Sequence, residues 1–293
     1  MRITHGMLAD ATLRNLNATM RRLDKLQEQL TSGRRIARIS DDPVAATQAL
    51  GYRTDLSETG QYLRNIDAAT VWLNATDAAL GSATDLIQRA RELAVQGANA
   101  SLAPQDRLAI ANEARQLMEH LVQVGNSTLG TEFLFAGQKT NSPPFAIDLS
   151  TLTWAYTGDG GSVTREIGPG AQITVNARGD TVLEPALEAL KGLIVGLEAN
   201  DGVAIQASIS SIDSALDNVL VAQLQAGAKA NRLEASTTRL EDLRVNQSGL
   251  LSKREDVDMV EAISSYAVTE SVYKAALSAG SRAIQPSLLD YLH

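Results

Sequence analysis

The sequence contains no cysteine, so disulfide bonds, thiolate metal sites and cysteine nucleophiles are all excluded. Aromatic residues make up only 4% of the chain, and the three phenylalanines all lie between residues 133 and 145. Most of the core must therefore be built from Leu, Ile, Val and Ala, a composition typical of helical bundles. A hydrophobic content of 44% over 293 residues predicts a substantial core and more than one domain.

Long hydrophobic runs and excess positive charge are also missing. The formal net charge is -8, which argues against binding nucleic acid or coating an anionic membrane, since both need clustered positive charge. The longest apolar stretch, around LIVGL, is too short to span a bilayer, so no membrane insertion is expected. The start, MRITHGMLADATL, lacks the apolar run of a cleaved signal peptide, so any export would use no such signal.

Residues that carry chemistry are scattered. Three histidines, His5, His120 and His293, have no serine or acid placed with them as in a catalytic triad. The pair Asp41 and Asp42 could bind a metal, but acids before a proline more often cap a helix. GDGG at 158–161 lacks the lysine of a phosphate-binding loop and favours a hairpin turn. We therefore expect no catalytic, cofactor or metal site and no enzymatic activity.

The first 130 residues predict three helices. An a/d seam opens the chain, broken only by Gln27, with Gly33 as its stop: Leu13, Leu16, Met20, Leu23 and Leu30. Asp42 is the expected N-cap of a second helix with Pro43 in its first turn. This helix should run to about Gln96 on the seven-residue step of Ile66, Leu73, Leu80, Ile87 and Ala94. Pro104 should begin the third helix.

The middle of the chain changes character and predicts a small β-rich insertion. Residues 151–156, 163–167 and 172–176 alternate between polar and apolar, and turn dipeptides separate them. The phenylalanines, Trp154 and Tyr156 are expected to form a private core for this insertion. A short helix follows, marked by Leu187, Leu190, Ile194 and Leu197.

The last third predicts one very long helix or two nearly in line, because no proline occurs between Pro185 and Pro286. Its early part carries seam positions such as Ile205 and Ile212, and a seven-residue step joins Leu243, Leu250 and Val257. Its final part carries a second a/d seam, which includes Glu270 and Gly280 and five apolar members: Met259, Ile263, Tyr266, Tyr273 and Leu277. Ile284 continues this seam, and Leu288, Leu289 and Leu292 extend it past Pro286.

The two terminal seams mirror each other, and their charges differ in sign. Residues 1–40 carry eight Lys/Arg and three Asp/Glu, whereas residues 253–293 carry four and six. We expect the two terminal helices to pair, to be mobile in the free protein and to become ordered when neighbouring subunits cover them. The seams of residues 56–124 and 205–250 are instead expected to be mostly intramolecular core.

Three separated segments resemble the bacterial flagellin family: LTSGRRIARISDDPVAATQAL (30–50), LGTEFLFAGQKTNSPPF (129–145) and YKAALSAGSRAIQPSLLDYL (273–292). The resemblance implies a mainly α, flagellin-like fold with a helical coiled-coil trunk and a small β-rich inserted domain. It divides the chain into terminal assembly helices (1–42 and 253–293), a helical trunk (43–136 and 203–252) and an outward insertion (137–202).

The resemblance also implies a function and partners. The chain would be an extracellular structural subunit of the flagellum, exported through the flagellar type III apparatus, that joins the hook to the filament. Its partners would be identical subunits in a ring, the first hook-associated protein, flagellin and an export chaperone. Two alternatives stay open at this point. One is the flagellin subunit itself, and the other is a coiled-coil signalling or accessory protein.

Overall fold

The computed structural model describes the backbone of residues 5–284 and the side chains of residue 7 and residues 9–281. The described chain is mainly helical and carries three small antiparallel sheets. Its helices are α1 (His5–Ser32), α2 (Pro43–Gly97), α3 (Pro104–Gly125), α4 (Gly179–Val182), α5 (Glu184–Glu198), α6 (Gly202–Glu255) and α7 (Met259–Ile284). Its strands are β1 (Thr128–Leu129), β2 (Glu132–Phe133), β3 (Phe145–Asp148), β4 (Thr153–Tyr156), β5 (Thr164–Gly168) and β6 (Ala171–Thr174).

Local sequence signals set the helix ends. Helix α1 stops before Gly33, whose φ of 70° is the left-handed conformation that glycine adopts without strain. The carboxylate of Asp42 accepts a hydrogen bond from the amide of Ala45 at 3.0 Å and caps α2, which begins at Pro43. Pro104 begins α3. The predicted boundaries of the first three helices are therefore confirmed.

The described residues fall within two compact units. We call them the terminal unit, residues 1–58 with 243–293, and the trunk unit, residues 59–242. The contacts thus place the β-rich insertion inside the trunk unit, whereas the sequence suggested three regions. Helices α2 and α6 each contribute residues to both units.

The trunk unit has a continuous apolar core. The five α2 residues on the predicted seven-residue step are each at most 2% exposed, which confirms that seam as intramolecular. Helix α6 also has buried residues at every seventh position, which are Ile205, Ile212, Val219, Ala226, Leu233 and Leu240. Helices α3 and α5 add their apolar faces to the same cluster. Burial at every seventh position is the expected pattern of helices that pack along a narrow seam.

The predicted seam of α6 is wrong at its far end. Leu243 and Leu250 were expected in the core, but they are 43% and 44% exposed. The buried step ends at Leu240, and the next position on it is the polar Gln247.

The insertion consists of hairpins, and its strand assignments agree broadly with prediction. Strand β3 pairs with β4, with Phe145 opposite Tyr156, and β5 pairs with β6 around an irregularity between Glu166 and Gly168. Strands β4, β5 and β6 fall on the three predicted segments. Strand β3, which directly follows two prolines, was not predicted.

The private core predicted for the insertion is wrong. Phe135 and Phe145 are buried within the same cluster as the helices. A Cβ added at Gly125 of α3 would lie 2.7 Å from the Phe145 ring, so the ring lies directly against the helix. Two-stranded hairpins are too small to be stable alone, and they bury their inward side chains against other elements.

The hairpin turn predicted at GDGG is also wrong. Residues 157–163 connect two hairpins, because β4 pairs with β3, the strand before it, and β5 pairs with β6, the strand after it. Asp159 organises this connection by accepting hydrogen bonds from the amides of Gln138 at 2.6 Å and Gly161 at 3.1 Å. These backbone donors, Gln138 first, lower the pKa of Asp159.

Candidate assembly interface

Helices α1 and α7 pack against each other along their length. Their less exposed side chains recur every three or four residues, as expected for one face of a helix. On α1 this spacing joins Ala9, Thr12, Leu16, Thr19, Leu23, Leu26 and Leu30, and on α7 it joins Ala262, Tyr266, Thr269, Tyr273, Ala276 and Gly280. Ala11, Glu28, Gln29, Ser265 and Glu270 are also partly buried. The two helices run antiparallel, because Gly280 lies near Thr12 while Asp256, just before α7, bridges to Arg34 just after α1.

Small side chains on α7 bring the two helices close. A Cβ at Gly280 would lie 3.1 Å from Cγ2 of Thr12, tighter than an ordinary contact. Ala262 and Ala276 lie on the same face. A close approach of this kind gains dispersion contacts without burying large side chains. The pair therefore leaves much of its apolar surface uncovered.

The predicted interface residues divide into two groups. Five of them are half-buried in the pair: Leu16, Leu23, Leu30, Tyr266 and Tyr273. Five others are 44% to 56% exposed: Leu13, Met20, Met259, Ile263 and Leu277. The side chain of Ile284, together with Leu288, Leu289 and Leu292, lies outside the described residues.

The seam that α1 presents to α7 is offset by one residue over part of its length. It takes Thr12, Thr19 and Leu26 where the sequence pattern suggested Leu13, Met20 and Gln27. Gln27 therefore does not interrupt the seam, because Leu26 occupies that place. The threonines carried no hydrophobic signal, yet their small size suits the close approach.

A short joint fastens the end of α1 to the end of α6. Arg34 and Asp256 form an antiparallel bridge. The amide of Arg35 donates to the carbonyl of Glu255 at 2.6 Å, and the amide of Val257 donates to the carbonyl of Gly33 at 3.0 Å. These backbone bonds interrupt the helical path between α6 and α7. Nothing in the local sequence signalled this joint, because its partners lie more than two hundred residues apart.

Glu255 is the buried charge of this joint. Its side chain is only 6% exposed, and it forms ion pairs with Arg34 Nε at 2.7 Å and with the guanidinium of Arg53 on α2. One carboxylate thereby connects α6, α2 and the segment that follows α1. Because a buried carboxylate without partners is costly, this arrangement favours a single geometry of the three segments.

The adjacent acids at 41 and 42 have separate structural roles. Asp41 forms an ion pair with Lys25 Nζ at 2.8 Å and accepts a hydrogen bond from the amide of Arg38 at 3.0 Å. The Lys25 hydrogen bond, followed by that of Arg38, lowers the pKa of Asp41. The N-cap prediction is confirmed for Asp42, whereas Asp41 closes the loop between α1 and α2.

Other chemical features of the described chain are few. His120 is exposed on α3. Among the side chains that the structure describes, no group of three or more histidines and acids is placed to hold a metal ion. None of the helices described is both long and apolar enough to cross a membrane.

An open pocket lies beside the joint, and we call it the joint pocket. It has a volume of about 250 Å³. Its lining includes the apolar Ile36, Ile39, Ala49 and Leu50 and the charged Arg34, Arg38, Arg53 and Glu255. The pocket belongs entirely to the terminal unit.

Two family models match the chain at its two ends. The bacterial flagellin N-terminal helical region matches residues 3–140, and the bacterial flagellin C-terminal helical region matches residues 209–292. Together these matches cover about three quarters of the sequence. They include both helices of the α1–α7 pair.

Individual relatives are similar over nearly the whole length. The flagellar hook-associated protein 3 of Escherichia coli (strain K12) is 25% identical over 95% of this chain and 96% of its own length. The protein of the same name from Salmonella typhimurium is 27% identical over 94% of this chain and 95% of its own. A solved structure of a putative flagellar hook-associated protein from Vibrio parahaemolyticus superimposes with a TM-score of 0.67 and 23% identity, covering 74% of this chain and 100% of that one.

Proposed function

Because the chain belongs to the bacterial flagellin family, we propose that it is the structural subunit that joins the flagellar hook to the filament. The observation that carries this proposal is the similarity to proteins named flagellar hook-associated protein 3 over 94% to 95% of this chain. A full-length match is needed here, since fold alone does not determine function.

In this proposal the terminal helices are the assembly elements. The α1–α7 pair leaves Met20, Ile263 and Leu277 about half exposed. Each Å² of apolar surface that a neighbouring subunit covers contributes roughly 25 cal/mol. A ring of identical subunits would therefore gain stability from the surface that a single copy leaves uncovered.

The proposed partners follow from a position between hook and filament. They are identical subunits in a ring, the first hook-associated protein on the hook side and flagellin on the filament side. An export chaperone would shield the apolar segment that contains Leu288, Leu289 and Leu292 before export. The chain would act outside the cell, and it would catalyse no reaction.

The proposed layout assigns one role to each region of the chain. Residues 1–42 and 253–293 would line the inner tube, residues 43–136 and 203–252 would form the outer tube, and residues 137–202 would face outward. The α1–α7 pair supports the inner-tube assignment, because Leu13, Met20 and Leu277 on it stay about half exposed in a single copy. The helices of the trunk unit would keep their shape through their own core.

A strain that lacks this protein tests the proposal. We expect electron microscopy to show hooks without filaments and immunoblotting to detect flagellin in the medium. If the chain were instead the flagellin, filaments would be missing and the medium would contain none of that subunit. Normal filaments on the deletion strain would refute both readings, and complementation with the wild-type chain is the control.

A further inference from the structure

We propose that the joint pocket binds residues 285–292 of a second copy of this chain, so that subunits contact one another head to tail. This inference rests on the proposed function, since it names one contact by which the subunits would assemble. It uses the joint pocket of one copy and the apolar sequence QPSLLDYL of the next.

Large apolar side chains stay exposed around the joint pocket. Ile39 is 75% exposed and Leu50 is 64% exposed at its rim, while Ile36 is buried in its lining. Val44, on the first turn of α2, is another exposed apolar side chain of this region. Large apolar side chains grouped around an open cavity and rimmed by charge are typical of an interaction site.

Charge favours residues 285–292 as the occupant. Three arginines, Arg34, Arg38 and Arg53, line the pocket against one acid, Glu255, so the lining carries an excess of positive charge. The segment QPSLLDYL contains one acid, Asp290, and no basic residue. Its leucines at 288, 289 and 292 match the apolar part of the pocket, and Asp290 matches the arginines.

Geometry requires that the segment come from another copy. The joint pocket lies at the Gly33 and Glu255 end of the terminal unit, whereas residue 285 follows the opposite end of α7. The 26 residues of α7 span about 39 Å at 1.5 Å per residue. Eight residues extend at most about 28 Å. The segment is therefore too short to return along its own helix to the pocket.

A contact between unlike surfaces has a consequence for assembly. The pocket lies by the start of α7 and residues 285–292 follow the end of α7 in the sequence, so every copy can bind one neighbour and be bound by another. Contacts of this heterologous kind generate rings or helical tubes rather than closed pairs. The joint, held by Glu255, would position the pocket for the incoming segment.

The absence of cysteine makes this contact directly testable by disulfide trapping in the full chain. One copy carries Ile39→Cys and the other carries Leu289→Cys, and the two are mixed at high concentration under a mild oxidant. We expect at least about five times more mixed dimer than with Val203→Cys and Leu289→Cys, since Val203 is exposed but lies in the trunk unit. Equal yields from the two mixtures would overturn the proposal.

A binding measurement adds an independent readout. A fluorescent peptide of residues 285–292 should bind the full chain, and Leu50→Asp should weaken that binding at least about tenfold. Val203→Asp is the matched control, and circular dichroism should show both variants folded, since both side chains are exposed. Binding that Leu50→Asp leaves unchanged, or no binding at all, would contradict the proposal.

The head-to-tail contact and the proposed function can each be refuted without refuting the other. If a photo-reactive amino acid placed at position 39 cross-links in cells to flagellin or a hook component and never to a second copy, the pocket has another occupant and only the head-to-tail contact is refuted. If a deletion strain builds normal filaments, the proposed function falls even where the peptide binds.

Discussion

The trunk unit and the terminal unit bury their apolar residues in different ways. In the trunk unit, Leu73 and Leu80 of α2 and Leu233 of α6 are at most 2% exposed. In the terminal unit, Leu13 and Leu277 stay about half exposed although both lie on the packed helix pair. The same helical periodicity therefore produces a private core in one unit and an incomplete one in the other.

Polar residues occupy the seven-residue steps of both long helices near the boundary between the units. Thr59, one step before Ile66, is itself buried at 3% exposure, whereas Gln247, one step after Leu240, follows the last buried position of the α6 step. The difference indicates that the trunk unit is stabilised by its own core, whereas the terminal unit is held by a few close contacts and leaves large apolar side chains exposed.

Phe145→Ala should give the largest loss of stability and tests whether the insertion belongs to the trunk core. The ring is buried against Gly125 and Gly179, so its removal leaves a cavity beside α3. We expect a loss of about 3 to 5 kcal/mol in the free energy of unfolding, measured with denaturant. Trp154→Ala is the control, because that ring is only partly buried and should cost less. If Phe145→Ala and Trp154→Ala both caused small, equal losses of stability, the insertion would have a core of its own.

A matched pair of leucines measures the difference between the units directly. Leu80→Ala removes a fully buried side chain and should cost about 2 to 5 kcal/mol. Leu277→Ala removes a side chain that is 45% exposed, and it should change the same denaturant transition by less than about 0.5 kcal/mol. If Leu277→Ala lowered the free energy of unfolding nearly as much as Leu80→Ala, the helix pair would belong to the monomer core.

Much of the trunk could be predicted from the sequence because its signals are local or periodic. The Asp42 cap, the glycine stop at Gly33 and the seven-residue step of α2 each follow from the chemistry of a few neighbouring residues. The start of α3 at Pro104 is of the same kind.

The rest depended on contacts between distant residues. Glu255 meets Arg34 and Arg53 only in the folded chain, so the joint and its pocket left no mark in the sequence. The pairing of β3 with β4 likewise cannot be read from residues 158–161 alone. In the candidate interface, the seam offset at Thr12 arose because small size, rather than hydrophobicity, selects residues where helices approach closely.

The loop between α1 and α2 should be sensitive to acid. The folded pKa of Asp41 is lowered, so its contribution to stability is present above the ordinary Asp pKa of about 3.9 and is lost as the pH falls through the folded value. Asp41→Asn should reduce hydrogen-exchange protection of the Arg38 amide at neutral pH by about two- to fivefold, as expected for a surface ion pair. In the parent, protection of the Arg38 amide should fall further when acid protonates Asp41. The Asp41→Asn variant should not show this additional fall. Equal acid responses would mean that another group closes the loop.

The smallest effect on stability should accompany a large effect on assembly. Leu277→Asp places a charge on a side chain that is already 45% exposed, so thermal unfolding of the free protein should shift by less than about 0.5 kcal/mol. Burial of the same carboxylate under a neighbouring subunit would cost far more, because removing a charge from water is expensive. We therefore expect immunogold labelling to find no Leu277→Asp protein at hook tips. Val203→Asp is the control, since an acid suits the first turn of α6 and should leave incorporation unchanged. Normal incorporation of Leu277→Asp would show that this face of α7 stays in water after assembly. Burial by a neighbouring subunit would then not explain why the terminal unit exposes apolar residues.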